Sequence, residues 1–135
     1  MTNQGRRNKI NGANFERKCR EHLTEQGWNV SKFQSNVDIP TKKLIPAKSN
    51  RFLMRTTGFP DFICWKANTD GGYNVIAVES KINGYLSKEE KQKIEILLEL
   101  NIFSNIYVVR KEKRDGRATF PLYINTRTQE WKLSL

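Results

Sequence analysis

Two β-rich runs, Asp61–Lys66 and Tyr73–Lys81, flank the cluster Asn68-Thr69-Asp70-Gly71-Gly72. Runs of Ile, Val, Phe and Trp on either side of an Asp-Gly turn specify a β-hairpin. A turn centred near Asp70 sets Asp61 opposite Glu79, and directly opposed residues hold their Cβ atoms ~4.5–5.5 Å apart. Because strand side chains alternate with period two, Lys81 shares the face of Glu79. The neighbours on that face, Ile63, Val75 and Ala77, are apolar. Opposed carboxylates repel, and a divalent cation held by oxygen ligands offsets the repulsion. Mg²⁺ characteristically takes one or two carboxylates, waters and a substrate phosphate. A lysine beside such an ion can orient or help deprotonate an attacking water, or stabilise charge developing on a phosphate. The other reading has Asp61 capping the turn after Pro60, with Glu79 and Lys81 at a solvated strand end. A register slip of one residue would also part the pair onto opposite faces.

Around this hairpin the chain reads as one domain spanning residues 1–135, since a second core at this length would be too small to stand alone. Asn11 or Gly12 starts a helix to about Gly27, with Phe15, Cys19 and Leu23 along one face. Residues 1–10 then form a basic arm. Trp28–Phe33 is a short strand, and residues 34–50, which carry Pro40 and Pro46 among lysines, show no period and read as a flexible loop or flap. Arg51–Thr57 is an extended lead into the Gly58-Phe59-Pro60-Asp61 turn. Ser87-Lys88-Glu89-Glu90 fits a capping box opening a helix whose buried side is Ile94, Leu97 and Leu98, ending near Asn101. Asn105–Lys111 is a strand, Glu112–Arg117 a turn at Asp115-Gly116, and one or two strands follow. The predicted order is α-β-β-β-α-β-β, an α/β fold with a mixed sheet flanked by helices.

Lys and Arg number 24 against 14 Asp and Glu, giving a formal charge of +10. That excess points to a polyanion, nucleic acid first and an anionic membrane surface second. It is unevenly placed. Residues 1–60 carry 12 basic and 4 acidic side chains, 61–100 carry 5 and 7, and 101–135 carry 7 and 3. Arg6, Arg7 and Lys9 precede the first helix, and Lys42, Lys43, Lys48, Arg51 and Arg55 lead toward Asp61, so both groups are candidate DNA-phosphate contacts. Phosphate contacts supply affinity and register but little sequence information, which favours recognition of shape. Each of these cations taken singly is better read as a solvated surface charge; as a cluster they point to phosphate. Two cysteines and one histidine are too few for a zinc cluster and read as buried thiols and a filler side chain. Trp28, Trp65 and Trp131 sit in strand contexts and read as packing residues. No run approaches the ~18–20 apolar residues of a membrane span, and a secretory leader is missing, so a cytoplasmic protein is expected, or one of the host-cell cytoplasm if the source is viral.

Gly58-Phe59-Pro60-Asp61 followed by a strand, a turn and a strand ending in Val78-Glu79-Ser80-Lys81 resembles the PD-(D/E)XK nuclease superfamily, here as PD…ESK. The helix at Ser87 and the strand Ile106-Tyr107-Val108-Val109-Arg110 fall where that family's core has them. Leu86-Ser87 leading to Gln92 is similar to the VRR-NUC branch. Arg7, Lys9, Gly12 and Phe15-Glu16-Arg17 are similar to archaeal Holliday-junction resolvases. The resemblance covers roughly residues 6–111. It implies a restriction-endonuclease-like fold and a phosphodiesterase using Mg²⁺ or Mn²⁺. Asp61, Glu79 and the Ser80 carbonyl would be metal ligands, Lys81 the catalytic lysine, and Glu16 the first-helix acid that completes the site. Gln92 would match a polar residue that some branches carry on the second helix. An ordinary exposed glutamate paired to Arg20, and a solvated helix glutamine, are the other readings of Glu16 and Gln92. The implied function is a structure-specific DNA endonuclease acting on branched DNA as a homodimer. Alternatives are a flap or single-strand nuclease, a nucleic-acid-binding protein of the same fold without turnover, and a basic structural or membrane-surface protein whose carboxylate pair is accidental.

Overall fold

Phe62, Cys64, Ile76 and Val78 pack to one side of a central sheet, while Ile63, Val75 and Ala77 pack to the other. That two-sided apolar alternation is what a strand pair needs when helices cover both faces. The computed structural model describes residues 3–47, 49–50, 55–56, 58–114 and 117–135. Helix α1 (Asn3–Glu25) leads into β1 (Asn29–Lys32), a hairpin of β2 (Ser35–Asp38) and β3 (Lys43–Pro46), and a short pair, β4 (Ser49–Asn50) and β5 (Arg55–Thr56). Then come β6 (Phe62–Ala67), β7 (Tyr73–Ser80), helix α2 (Lys88–Leu100), β8 (Asn105–Arg114), β9 (Arg117–Asn125) and β10 (Trp131–Lys132).

The main sheet has six strands in the order β1-β6-β7-β8-β9-β10. It is mixed: β7 and β8 run parallel, with α2 in the connection between them, and the other neighbours are antiparallel. Phe15, Cys19 and Leu23 of α1 pack with Trp28, Phe62, Cys64, Ile76, Val78, Tyr107, Val109 and Tyr123 on one face. Ile94, Ile96 and Leu97 of α2 pack with Val37, Phe59, Ala77, Phe103, Ile106 and Val108 on the other. Both cysteines are buried free thiols. Among the described residues no helix is long and apolar enough to cross a membrane.

The structure corrects the sequence reading in three places. The first helix begins at Asn3 rather than at Asn11 or Gly12, so the described part of the supposed arm is helical. Its first turns carry no apolar stripe, and Ile10 is 57% exposed. They extend a helix that Phe15, Cys19 and Leu23 already anchor, since each added residue gains a hydrogen bond without a new nucleation cost. Residues 34–50 hold a hairpin rather than a structureless loop, with Ser35↔Pro46 and Asp38↔Lys43 as the ends of its ladder. Buried Val37 holds that hairpin against the α2 side, where half-buried Ile39 and Leu44 join it. Asp38 closes the turn by accepting the Thr41 backbone N–H and, at 2.5 Å, its hydroxyl. Lys42 there takes a left-handed φ of 55°. Finally, the order α-β-β-β-α-β-β omits β2–β5, whereas β9 and β10 fall within the one or two strands expected at the end of the order. The extended lead at 51–57 and the Asp115-Gly116 turn lie largely outside the described residues; β8 runs on to Arg114 and β9 resumes at Arg117.

Candidate functional site

The hairpin register sets the site. Phe62 pairs with Val78 and Ile63 with Ala77, which brings Asp61, one residue before β6, beside Glu79 near the end of β7. The turn that delivers Asp61 is itself held by backbone. Phe59 N–H donates to the Ser35 carbonyl at 2.9 Å, and Phe33 N–H donates to the Asp61 carbonyl at 2.9 Å. Gly58 passes so close to this segment that a Cβ there would lie 1.7 Å from the Phe33 carbonyl oxygen. Only glycine fits, which gives the first residue of Gly58-Phe59-Pro60-Asp61 a purely steric reason.

Asp61 and Glu79 are laced together. Asp61 N–H donates to Glu79 Oε1 at 3.0 Å. Ser80 donates both its backbone N–H, at 2.9 Å, and its hydroxyl, at 2.7 Å, to Asp61 Oδ2. Glu79 is only 4% exposed, and the charged form of a carboxylate is costly in such a place. Burial above all, then the charge of Asp61 and a hydrogen bond to it, push the Glu79 carboxyl up to about 10, with Lys81 working in the opposite direction. A cation arriving between the two acids would remove that penalty.

Lys81 lies on the α2 side, as alternation along β7 requires. Its Nζ is 3.9 Å from Glu79 Oε2 and 2.6 Å from Glu90 Oε2. Burial would lower its pKa, but the hydrogen bond to Glu90 and the charges of Glu79, Glu90 and Asp61 outweigh that and hold it above the usual lysine range. Glu90 is doubly committed. Ser87 N–H donates to Glu90 Oε1 at 2.9 Å, and Glu90 N–H donates to Ser87 Oγ at 3.1 Å, the reciprocal capping box at the start of α2. Burial would raise Glu90, yet its hydrogen bonds to Lys81 and Ser87 take it below the ordinary carboxylate range. The cap therefore tethers the lysine to the helix.

Glu16 sits half-buried on α1, and its charge joins that of Asp61 and burial, the largest effect, in pushing the Cys19 thiol up to about 12. Among the described residues no three His, Cys, Asp or Glu side chains converge as a ligand set, so Glu16 does not complete a three-acid cluster with the pair. The donor chemistry nevertheless fits Mg²⁺ or Mn²⁺. Two adjacent carboxylates each give one oxygen to a neighbouring N–H, and such ions need only one or two carboxylates beside water and phosphate. Gln92 is exposed on α2. Arg6 and Arg7 are exposed on α1, and Lys42 and Lys43 are exposed at the tip of the β2–β3 hairpin. Lys9 falls on α1 and Arg55 on β5, while Lys48 and Arg51 lie outside the described residues.

Sequence reasoning missed two partners. Glu90 as the counter-ion of Lys81 was signalled by the capping box, because an N3 carboxylate folds back over the helix start toward the preceding strand end. Ser80 as a double donor to Asp61 had no signal beyond its place between Glu79 and Lys81. No protein-family model matches the chain, and comparisons with curated proteins and with solved structures give no match either.

Proposed function

We propose that the chain is a metal-dependent DNA endonuclease with a restriction-endonuclease-like core of the PD-(D/E)XK type. The observation that carries this reading is half-buried Asp61 beside buried Glu79, with Lys81 on the same face at 3.9 Å from Glu79. Asp61 and Glu79 would hold Mg²⁺ or Mn²⁺. When bound, the ion acts as a Lewis acid toward the phosphate and lowers the pKa of water at the site. Ser80 keeps Asp61 oriented through two hydrogen bonds. N–H and C=O of one strand residue point to the same edge, so the Ser80 carbonyl faces the Asp61 side as a further oxygen donor. Lys81, charged and fastened by Glu90, can donate to a phosphate oxygen or position the attacking water. Glu16, whose charge acts together with that of Asp61 on Cys19, would have a supporting role.

The +10 charge supplies the polyanion affinity. Shape rather than base sequence is the proposed determinant, with branched DNA the leading substrate, since contacts to phosphate carry little sequence information. Symmetrical cutting of a four-way junction needs two active sites, hence a homodimer. The test is incubation of the purified protein with labelled four-way junction, flap, single-stranded and linear duplex DNA, in Mg²⁺, Mn²⁺ or EDTA, beside Asp61→Ala. Cleavage that needs metal and vanishes in the variant supports the nuclease. Tight binding without cleavage under either metal overturns it in favour of a binding protein. Paired symmetrical nicks confined to the junction select the resolvase reading.

A further inference from the structure

A cleft of about 290 Å³ opens between α1 and the edge of the sheet, lined by Ala13, Glu16, Arg17, Arg20, Lys32 and Phe62. Lys32 ends β1 and pairs with Phe62, the first residue of β6. Asp61 precedes Phe62, so the cleft lies at the same end of the sheet as the carboxylate pair, reached past the face that carries α1. Three of its side chains are cations and one is an acid. Arg17, Arg20 and Lys32 are exposed, and none forms an ion pair with a described residue. Among the described residues the one side-chain hydrogen bond made by these three cations is Arg20 Nη2 to the Val30 carbonyl, at 3.5 Å. Arg17 and Arg20 stand three residues apart on one helix face, a spacing at which like charges repel and destabilise an isolated helix. Concave walls of one sign concentrate counter-ions and substrates of the other.

We propose that this cleft is a subsite for a DNA backbone phosphate on the strand that crosses the Asp61–Glu79 site. The assignment rests on the nuclease reading for its substrate and adds three residues, Arg17, Arg20 and Lys32, that the candidate phosphate contacts in the sequence did not include. The two arginines present forked donors suited to phosphate oxygens, and Lys32 closes the opposite wall from β1. Glu16 is the one acid among the lining residues.

Fluorescence anisotropy with labelled duplex DNA in EDTA, across a salt series, tests the subsite without any need for turnover. Two variants that lose the same charge are compared: Arg17→Gln/Lys32→Gln in the cleft, and Arg127→Gln/Lys132→Gln at the far edge of the sheet. All four positions are exposed, so neither exchange opens the core; Lys32→Gln alone repeats the cleft measurement with a smaller change. The cleft variant is expected to bind about 10-fold more weakly, with a salt slope shallower by about 0.9, the value for one phosphate no longer neutralised. The far-edge variant should change affinity by less than about 2-fold. Equal behaviour of the two variants overturns the subsite. Saturable binding of inorganic phosphate that competes fully with the duplex, and is lost in the cleft variant, would overturn the DNA assignment in favour of a free-anion site. The two proposals fail separately: cleft-dependent binding by a protein that never cleaves removes the nuclease and keeps the subsite, whereas intact cleavage with indifferent cleft variants does the reverse.

Discussion

Glu79 illustrates how a single buried side chain can hold function at the expense of stability. At 4% exposure beside Asp61, it is a poor choice for a metal-free sheet. Glu79→Gln keeps an oxygen to accept the Asp61 N–H and removes the acid that burial penalises. In EDTA this variant is expected to melt above the wild type, by about 3–6 °C for each ~1 kcal/mol gained. Added Mg²⁺ should then raise the melting temperature of the wild type but not of the variant, because only a ligand bound by the folded state stabilises it. His22 offers a second readout, away from the carboxylate pair. Its Nδ1 faces the Tyr123 hydroxyl at 2.6 Å and the Gln26 side-chain amide at 3.1 Å, and its ring stacks on Tyr123. Burial lowers its pKa, against a smaller opposing effect of Glu25. With the folded value below the unfolded one, the unfolded chain takes up the proton first, and stability present above the ordinary histidine pKa is lost as pH falls below it. Glu79, raised in the fold, works in the opposite direction across the same window, so the test is made in the Glu79→Gln background: there the urea midpoint should drop between pH 7.5 and 5.5, and adding His22→Gln should flatten that dependence.

The elements differ in how tightly each residue choice is constrained. In α1, Gly12 lies mid-helix and a Cβ added there meets nothing within 4 Å. Gly12→Ala is expected to stabilise the fold by about 0.5–1 kcal/mol in chemical denaturation and to leave any cleavage rate unchanged. Gly58 is the opposite case: a Cβ at 1.7 Å from the Phe33 carbonyl cannot be relieved by a rotamer change, because both sides of the contact are backbone. Gly58→Ala should cost on the order of 3 kcal/mol or more and displace Asp61 from Glu79, seen as loss of cooperative unfolding or of metal binding. At the start of α2, Ser87→Ala removes the cap and costs about 0.5–2 kcal/mol. It should also weaken the function more than that figure suggests, since Glu90 holds Lys81 through the same box.

For the molecule as a whole, what the sequence disclosed was what local rules encode. Alternation in residues 61–81 placed Asp61 beside Glu79, and the capping box located the start of α2 at Ser87. The first turns of α1 were not legible, because they bury nothing and ride on the anchored turns behind them. The β2–β3 hairpin was hidden because its anchoring Val37 packs against α2, an element far along the chain. The Lys81–Glu90 contact and the cationic cleft likewise arise only when α2 and α1 dock on opposite sheet faces. The most direct measurement follows from the feature all these elements converge on and is independent of which DNA is cut: titration of Mn²⁺ into the protein, with free ion followed by its electron paramagnetic resonance signal. One saturable site in the wild type, lost in Asp61→Asn, is the expected result. Mn²⁺ that stays free with the wild type, or binds Asp61→Asn equally well, would contradict the metal site at Asp61 and Glu79.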